Sequence, residues 1–142
     1  MRFLAVVAAL ALWIPDAALA DQYGLCSGGN RKARKVTCLV DGDTGWENGV
    51  KWRMEGIDTP EYPPYSECAA EPEMAKVATY RMLELMQDGY KIIWSGKLGK
   101  NKRDLVRIIL SDGRDAGHVL LAEDLAQPWP NNSNPWCRSP AS

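Results

Sequence analysis

The sequence predicts a small α+β protein, mainly β, with helices packed on a compact barrel of short strands. Three observations carry this expectation. Apolar and β-branched runs at 36–40, 50–57, 90–94 and 105–110 have strand length and are punctuated by Asn-Gly and Asp-Gly. The stretch 71–87 instead repeats its apolar residues at three and four, as a helix does. Finally, 142 residues of which 46% are apolar can build one core but not two ordinary domains.

Taken in order, the chain opens with Met1-Arg2, an unbroken apolar run at 3–14 and the small-residue triplet Ala18-Leu19-Ala20. That run is too short to span a bilayer as a helix. With its flanks it predicts a signal peptide at 1–20 and an exported protein, periplasmic or secreted, with no stable membrane association after cleavage. Export places Cys26, Cys38, Cys68 and Cys137 in an oxidising compartment. Four cysteines allow three pairings. We favour Cys26–Cys38, which closes a polar loop, and Cys68–Cys137, which staples a Pro-rich tail to the body. The segment 21–35 reads as that polar loop, with Arg31, Lys32, Arg34 and Lys35. The domain proper is expected over 36–137, followed by a short tail at 138–142.

The first strand, 36–40, should end at Asp41-Gly42-Asp43-Thr44. Asn48-Gly49 is a strong hairpin signal. The next strand, 50–57, places Val50, Trp52 and Met54 on one face and stops at Asp58-Thr59-Pro60-Glu61, because Pro60 lacks an N–H and holds Thr59 extended. Pro72 suits the first turn of the helix at 71–87, and Asp88-Gly89 ends it. Strands at 90–94 and 105–110 flank a basic segment. Asp112-Gly113 is a turn, 117–126 a short helix, and Pro128, Pro130 and Pro135 mark an irregular tail.

With 17 Lys+Arg against 18 Asp+Glu, the net charge is −1, so any polyanion site must come from local charge. A single histidine, His118, excludes a multi-His zinc site. Chemistry concentrates where Asp41, Asp43, Asp58 and Glu61 terminate two strands joined by a hairpin, since a hairpin sets its strand ends side by side. Clustered carboxylates repel unless a proton or cation intervenes, and a hard cation with oxygen ligands, Ca²⁺ or Mg²⁺, is the natural solution. Arg53 adds a guanidinium. Cation plus guanidinium suits a phosphodiester, with a spare carboxylate to ready a water.

Val40-Asp41-Gly42-Asp43-Thr44, followed by Arg53 and then Asp58-Thr59-Pro60-Glu61, resembles the thermonuclease family, the staphylococcal nuclease-like proteins. Arg103-Asp104-Leu105-Val106 and Leu125-Ala126 add to a likeness running from about 38 to 126. The resemblance implies a five-stranded OB-type Greek-key barrel with two or three packed helices. It implies a monomeric Ca²⁺-dependent nuclease acting on single-stranded or frayed DNA and RNA. By motif position, Asp43, Asp58 and the Thr59 carbonyl would hold the metal, Glu61 would be the general base, and Arg53 and Arg103 would bind the scissile phosphate. The chain departs from the pattern at Arg103, which lacks a preceding Tyr-Gly and is followed by Asp104. Lys102 or Arg107 could then substitute, and Lys100, Lys102, Arg107 and Trp129 are the expected nucleic-acid contacts. The rival reading is a non-catalytic barrel that binds single strands or another anion. A third is a secreted domain whose carboxylates bind Ca²⁺ only for stability.

Overall fold

The computed structural model describes residues 23–138. The expected leader at 1–20 and nearly all of the tail at 138–142 lie outside the described residues. The elements are β1 (Cys38–Leu39), β2 (Thr44–Glu47), β3 (Val50–Met54), β4 (Ile57–Asp58), α1 (Glu71–Met86), β5 (Tyr90–Leu98), β6 (Asp104–Leu110), α2 (Ala116–Ala122) and β7 (Gln127–Pro128), with single 3₁₀ turns at Lys100–Lys102 and Pro135–Cys137. The chain is α+β. Five strands form a mixed sheet in the order β1-β2-β3-β6-β5, and β4 pairs with β7 separately. Only β3 and β6 run parallel within the sheet. The sheet is open, with β1 and β5 as its edges, so strand pairing does not close it into a barrel.

Asn48 and Gly49 both take left-handed φ, 46° and 82°, the turn whose twist matches a two-residue hairpin. The hairpin therefore forms where expected, but its first arm is β2, not the run at 36–40. That run shrinks to β1, because the chain doubles back through residues 40–43 before β2 begins. The expected strand at 50–57 divides at Glu55-Gly56 into β3 and β4, with Gly56 at φ 78°. Val50, placed on one face with Trp52 and Met54 by alternation, is 43% exposed beside the hairpin turn, whereas Trp52 and Met54 are buried. Gly45 faces Trp52, and a Cβ there would run into the indole.

Leu39, Trp52, Met54, Met82, Met86, Val106, Ile108 and Leu120 form the core between sheet and helices. The buried stripe of α1 passes through Ala75, Ala78, Met82 and Leu85 and leaves Val77 outside. Helix α2 is shorter than 117–126. The Asp115 carboxylate caps it on the Gly117 and His118 amides. A left-handed Asp124 (φ 59°) and the 2.9 Å bond from Leu125 N to Leu120 O then close it, a Schellman ending.

The disulfides are Cys26–Cys38 and Cys68–Cys137, the favoured pairing. The N-terminal segment is more than a polar loop: Tyr23 is buried edge-on against Tyr90, with ring centroids 5.2 Å apart. Nor is the tail wholly irregular, because β7 lays Gln127 opposite Asp58. Among the described residues, no helix is long and apolar enough to cross a membrane.

Candidate active site

The β2–β3 register builds the site. Thr44 pairs with Arg53, and Met54 N donates to Asp43 O at 2.8 Å, so the residue leading into one strand meets the end of the other. Asp43 Oδ1 accepts from Arg53 Nη1 (3.1 Å) and Thr44 Oγ1 (2.8 Å), and its Oδ2 accepts from Thr59 N (3.0 Å). Arg53 Nη2 donates to Asp58 Oδ1 at 3.1 Å and to Ile57 O at 3.4 Å. One guanidinium thus bridges the two aspartates expected to hold a metal. Asp58 Oδ2 in turn accepts from Gln127 Nε2 and Asn131 Nδ2, both at 3.2 Å.

Asp41 closes its turn by accepting from Asp43 N at 3.1 Å. Burial, and then the charges of Asp43 and Glu61, push its carboxyl well above the usual aspartate range. Burial also raises Glu61, to about 7, with Asp43 and Asp58 adding and Arg53 opposing. Burial works against the Arg53 charge, yet Asp43 and Asp58 outweigh it and the guanidinium is held more firmly protonated than usual. The region carries more negative charge than its arginines balance.

A cleft of about 1050 Å³ opens over these groups, lined by Asp41, Arg53, Asp58, Glu61, Arg103 and Trp129 among others. Asp43 and Thr59, each 1% exposed, do not reach its surface. Despite its altered sequence context, Arg103 joins the site: Nη1 donates to Thr44 Oγ1 at 3.3 Å and Nε to Lys100 O at 3.1 Å. The loop before it contains two consecutive left-handed residues, Asn101 (φ 61°) and Lys102 (φ 55°). Lys100 lines the cleft, whereas Lys102 is exposed outside its lining. Arg107 is not brought in. It pairs with Asp115 at 2.9 Å and borders a separate cavity of about 210 Å³ that His118 also lines. Trp129, 48% exposed, places its ring centroid 5.6 Å from Arg53 Cζ, within cation–π range.

Sequence reasoning missed Gln127, Asn131 and above all Glu71. Glu71 begins α1 at 2% exposure. Its Oε1 accepts from Glu61 N at 2.9 Å, and its Oε2 accepts from Glu67 N at 2.7 Å and Asn134 Nδ2 at 2.9 Å. It fixes both ends of the segment that carries Glu61. An acid ahead of Pro72 has the look of any helix start, so only the tertiary partners reveal this role. Glu71 also lies with Cys68 and Cys137 so that one potential ligand atom from each falls within 4.8 Å of the others. The sulfurs are bonded to one another, however, and a disulfide supplies no thiolate ligand.

No family model and no curated protein matches the chain.

Proposed function

We propose that the chain is an exported Ca²⁺-dependent nuclease of the thermonuclease type, a monomer that hydrolyses phosphodiester bonds of single-stranded or frayed DNA and RNA in the periplasm or outside the cell. One observation carries the reading: Asp58, Arg53, Asp43, Thr44 and Arg103 form a continuous chain of polar contacts beside Glu61 and a single cleft. The reading also takes the five-stranded sheet, a meander followed by a parallel β3–β6 pair, as an OB-type Greek-key barrel.

The donor chemistry suits the implied metal, although among the described residues no three acids of the site bring an oxygen each within 4.8 Å of one another, so holding the ion would require these side chains to draw together. The donors offered by Asp43, Asp58 and the Thr59 carbonyl are all oxygens, which suits a hard cation. The surplus of carboxylates over guanidinium groups calls for positive charge, and Thr59 Oγ1 is buried at the same turn without a partner. Bound Ca²⁺ would withdraw charge from a phosphoryl oxygen. Arg53 retains uncommitted N–H groups beyond those spent on Asp43, Asp58 and Ile57, so it can donate to an equatorial oxygen while its acids hold it in place. Arg103 supplies a second guanidinium from just before the neighbouring parallel strand β6. A Glu61 carboxyl near neutrality is matched to accepting a proton from water at the working pH. The water oxygen bonds phosphorus in line, the opposite P–O bond breaks, and the departing oxygen is protonated from solvent. Trp129 offers a face on which a base can stack.

The test incubates the protein with denatured DNA in Ca²⁺ and then in chelator. Cleavage should stop with chelator, and Glu61→Gln should lower kcat by roughly a thousandfold while binding persists. Cleavage indifferent to both would overturn the mechanism. Binding by the wild-type protein with no cleavage would establish the non-catalytic barrel instead.

A further inference from the structure

We propose that a strand held in the cleft continues across a basic track formed by Arg103, Lys51 and the disulfide-closed loop bearing Arg31, Lys32 and Lys35, so that the substrate is a single strand several nucleotides longer than the cleft. The inference rests on the nuclease reading for its ligand class, and it adds a second binding region that the chemistry does not require.

Register supplies the first half of the track. Trp52 pairs with Asp104 in the parallel β3–β6 ladder, so the residues just before them, Lys51 and Arg103, are neighbours where the two strands begin. Both line the cleft. The second half follows from the hairpin turn that precedes Lys51. Gly49 N donates to Val36 O at 3.0 Å and Asn48 N to Thr37 Oγ1 at 2.9 Å, which seats the loop on the turn. The approach is so close that a Cβ on Gly49 would come within 2.7 Å of Lys32 O. The Cys26–Cys38 bond closes this loop, and Arg34 braces it from within by donating to Gly29 O (2.9 Å) and Ser27 O (2.8 Å). Lys32 and Lys35 are left exposed, and Arg31, which donates Nε to Gly28 O at 3.1 Å, keeps its remaining N–H groups to present its charge.

The grouping of unpaired cations separates this face from the others. Among the described residues, Arg53, Arg81, Lys97, Arg107 and Arg114 each have a carboxylate partner. Arg31, Lys32, Lys35, Lys51 and Arg103 form no ion pair within 4.0 Å. Unpaired cations also occur singly elsewhere, at Lys76 on α1, Lys91 on β5 and Arg138, but on this face they are grouped. The acid opposite Val50, Glu47, is occupied by the Tyr90 hydroxyl at 2.8 Å. Burial, and then the charges of Arg103 and Arg31, weaken the hold of Lys51 on its proton against the opposing charge of Asp41, as expected where like charges sit together. Unpaired like charges cost stability, and a polyanion relieves that cost. A row that leads out of a phosphate-directed cleft fits a nucleic-acid strand better than a lipid surface.

The test measures fluorescence anisotropy in Ca²⁺ with Glu61→Gln to prevent cleavage, using thymidine oligomers of about 3 and about 20 nucleotides over a range of salt. Adding Lys32→Gln and Lys35→Gln should weaken the long oligomer about tenfold, flatten its salt slope by about 1.4 at roughly 0.7 per phosphate contact on single strands, and leave the short one unchanged. Arg31→Gln, made separately, should act in the same direction, and unchanged melting temperatures show that the loop is intact. Equal losses for both oligomers, or none for the long one, would overturn the track. So would a loss seen only on anionic phospholipid vesicles. Wild-type activity is assayed in parallel: absence of cleavage would retire the nuclease reading and leave the track to be judged on binding alone.

Discussion

Asp43 and Glu71, at 1% and 2% exposure, are the most deeply buried acids among the described residues, and each accepts three hydrogen bonds. They differ in the company they keep. Asp43 has Arg53 as a partner but shares its surroundings with Asp41 and Glu61, whose carboxyls it drives upward. Glu71 has no cation within ion-pair distance among the described residues. Two backbone amides and one side-chain amide satisfy it, at the positive end of α1. The Asp43 region is charged beyond what its partners balance, which is what a site that receives a cation or a phosphate requires. The Glu71 region is saturated and has nothing left to bind. Burial of an acid, and even an equal count of donors, therefore identifies neither function nor scaffold until the charges around it are weighed.

The largest effect that separates the two regions is expected at Glu71. Glu71→Gln turns one acceptor oxygen into an N–H₂ group facing amide donors, so Glu61 N, or Glu67 N together with Asn134, loses its partner, and the charge at the helix start disappears. A stranded buried donor costs about 2 kcal/mol, read as a fall in the urea midpoint with an unchanged slope. A midpoint equal to the wild type would show that this carboxylate is not the anchor its contacts describe.

The contrast between these residues also explains what was legible in the sequence. The meeting of Asp43 with Arg53 could be read in advance because Asn48-Gly49 fixes a hairpin and a hairpin fixes register. Even with β2 as the unforeseen arm, the turn residues arrive beside the strand end. The span of α1 followed from equally local signals; the disulfide pairing, open among three in the sequence, is the favoured one, although Cys68 and Cys137 lie 69 residues apart. The barrel expectation outran the strand pairing, which leaves β1 and β5 as open edges. The roles of Glu71 and of Gln127, Asn131 and Asn134 were not legible. Their partners lie far along the chain, and the tail pairs with β4 through only Gln127 and Pro128, too short a run to show any periodicity. Arg107 illustrates the converse: a cation in the right stretch of sequence, carried further along β6 beyond the cleft to pair with Asp115.

A smaller effect of opposite sign should come from the cleft. Asp41→Asn keeps the oxygen that accepts from Asp43 N and removes a half-buried acid crowded by Asp43 and Glu61. In chelator the variant should gain about 1 kcal/mol, the scale of other charge-relieving substitutions, measured by the same denaturation experiment. Paired with a loss at Glu71, a gain at Asp41 would show that the cleft is held under electrostatic strain while the neighbouring anchor is relaxed. A destabilised Asp41→Asn would mean that the acids near Asp43 support the fold as Glu71 does.

The smallest effect sets the scale for both. Glu123 faces solvent and accepts from Arg81 Nε at 2.8 Å, linking α2 to α1. That hydrogen bond outweighs the slight burial and lowers its carboxyl below the usual glutamate range. A lowered folded-state value means that the unfolded chain binds the proton more readily. The stabilisation is therefore complete above the ordinary glutamate range and disappears as pH falls through the lower, folded-state value. Because both partners are screened by water, Glu123→Gln should cost only about 0.5 kcal/mol near neutral pH and nothing in strong acid. Denaturation midpoints at the two pH values would check this. A loss as large as that of Glu71→Gln would mean that hydrogen-bond count alone, without burial, governs what an acid contributes to this fold.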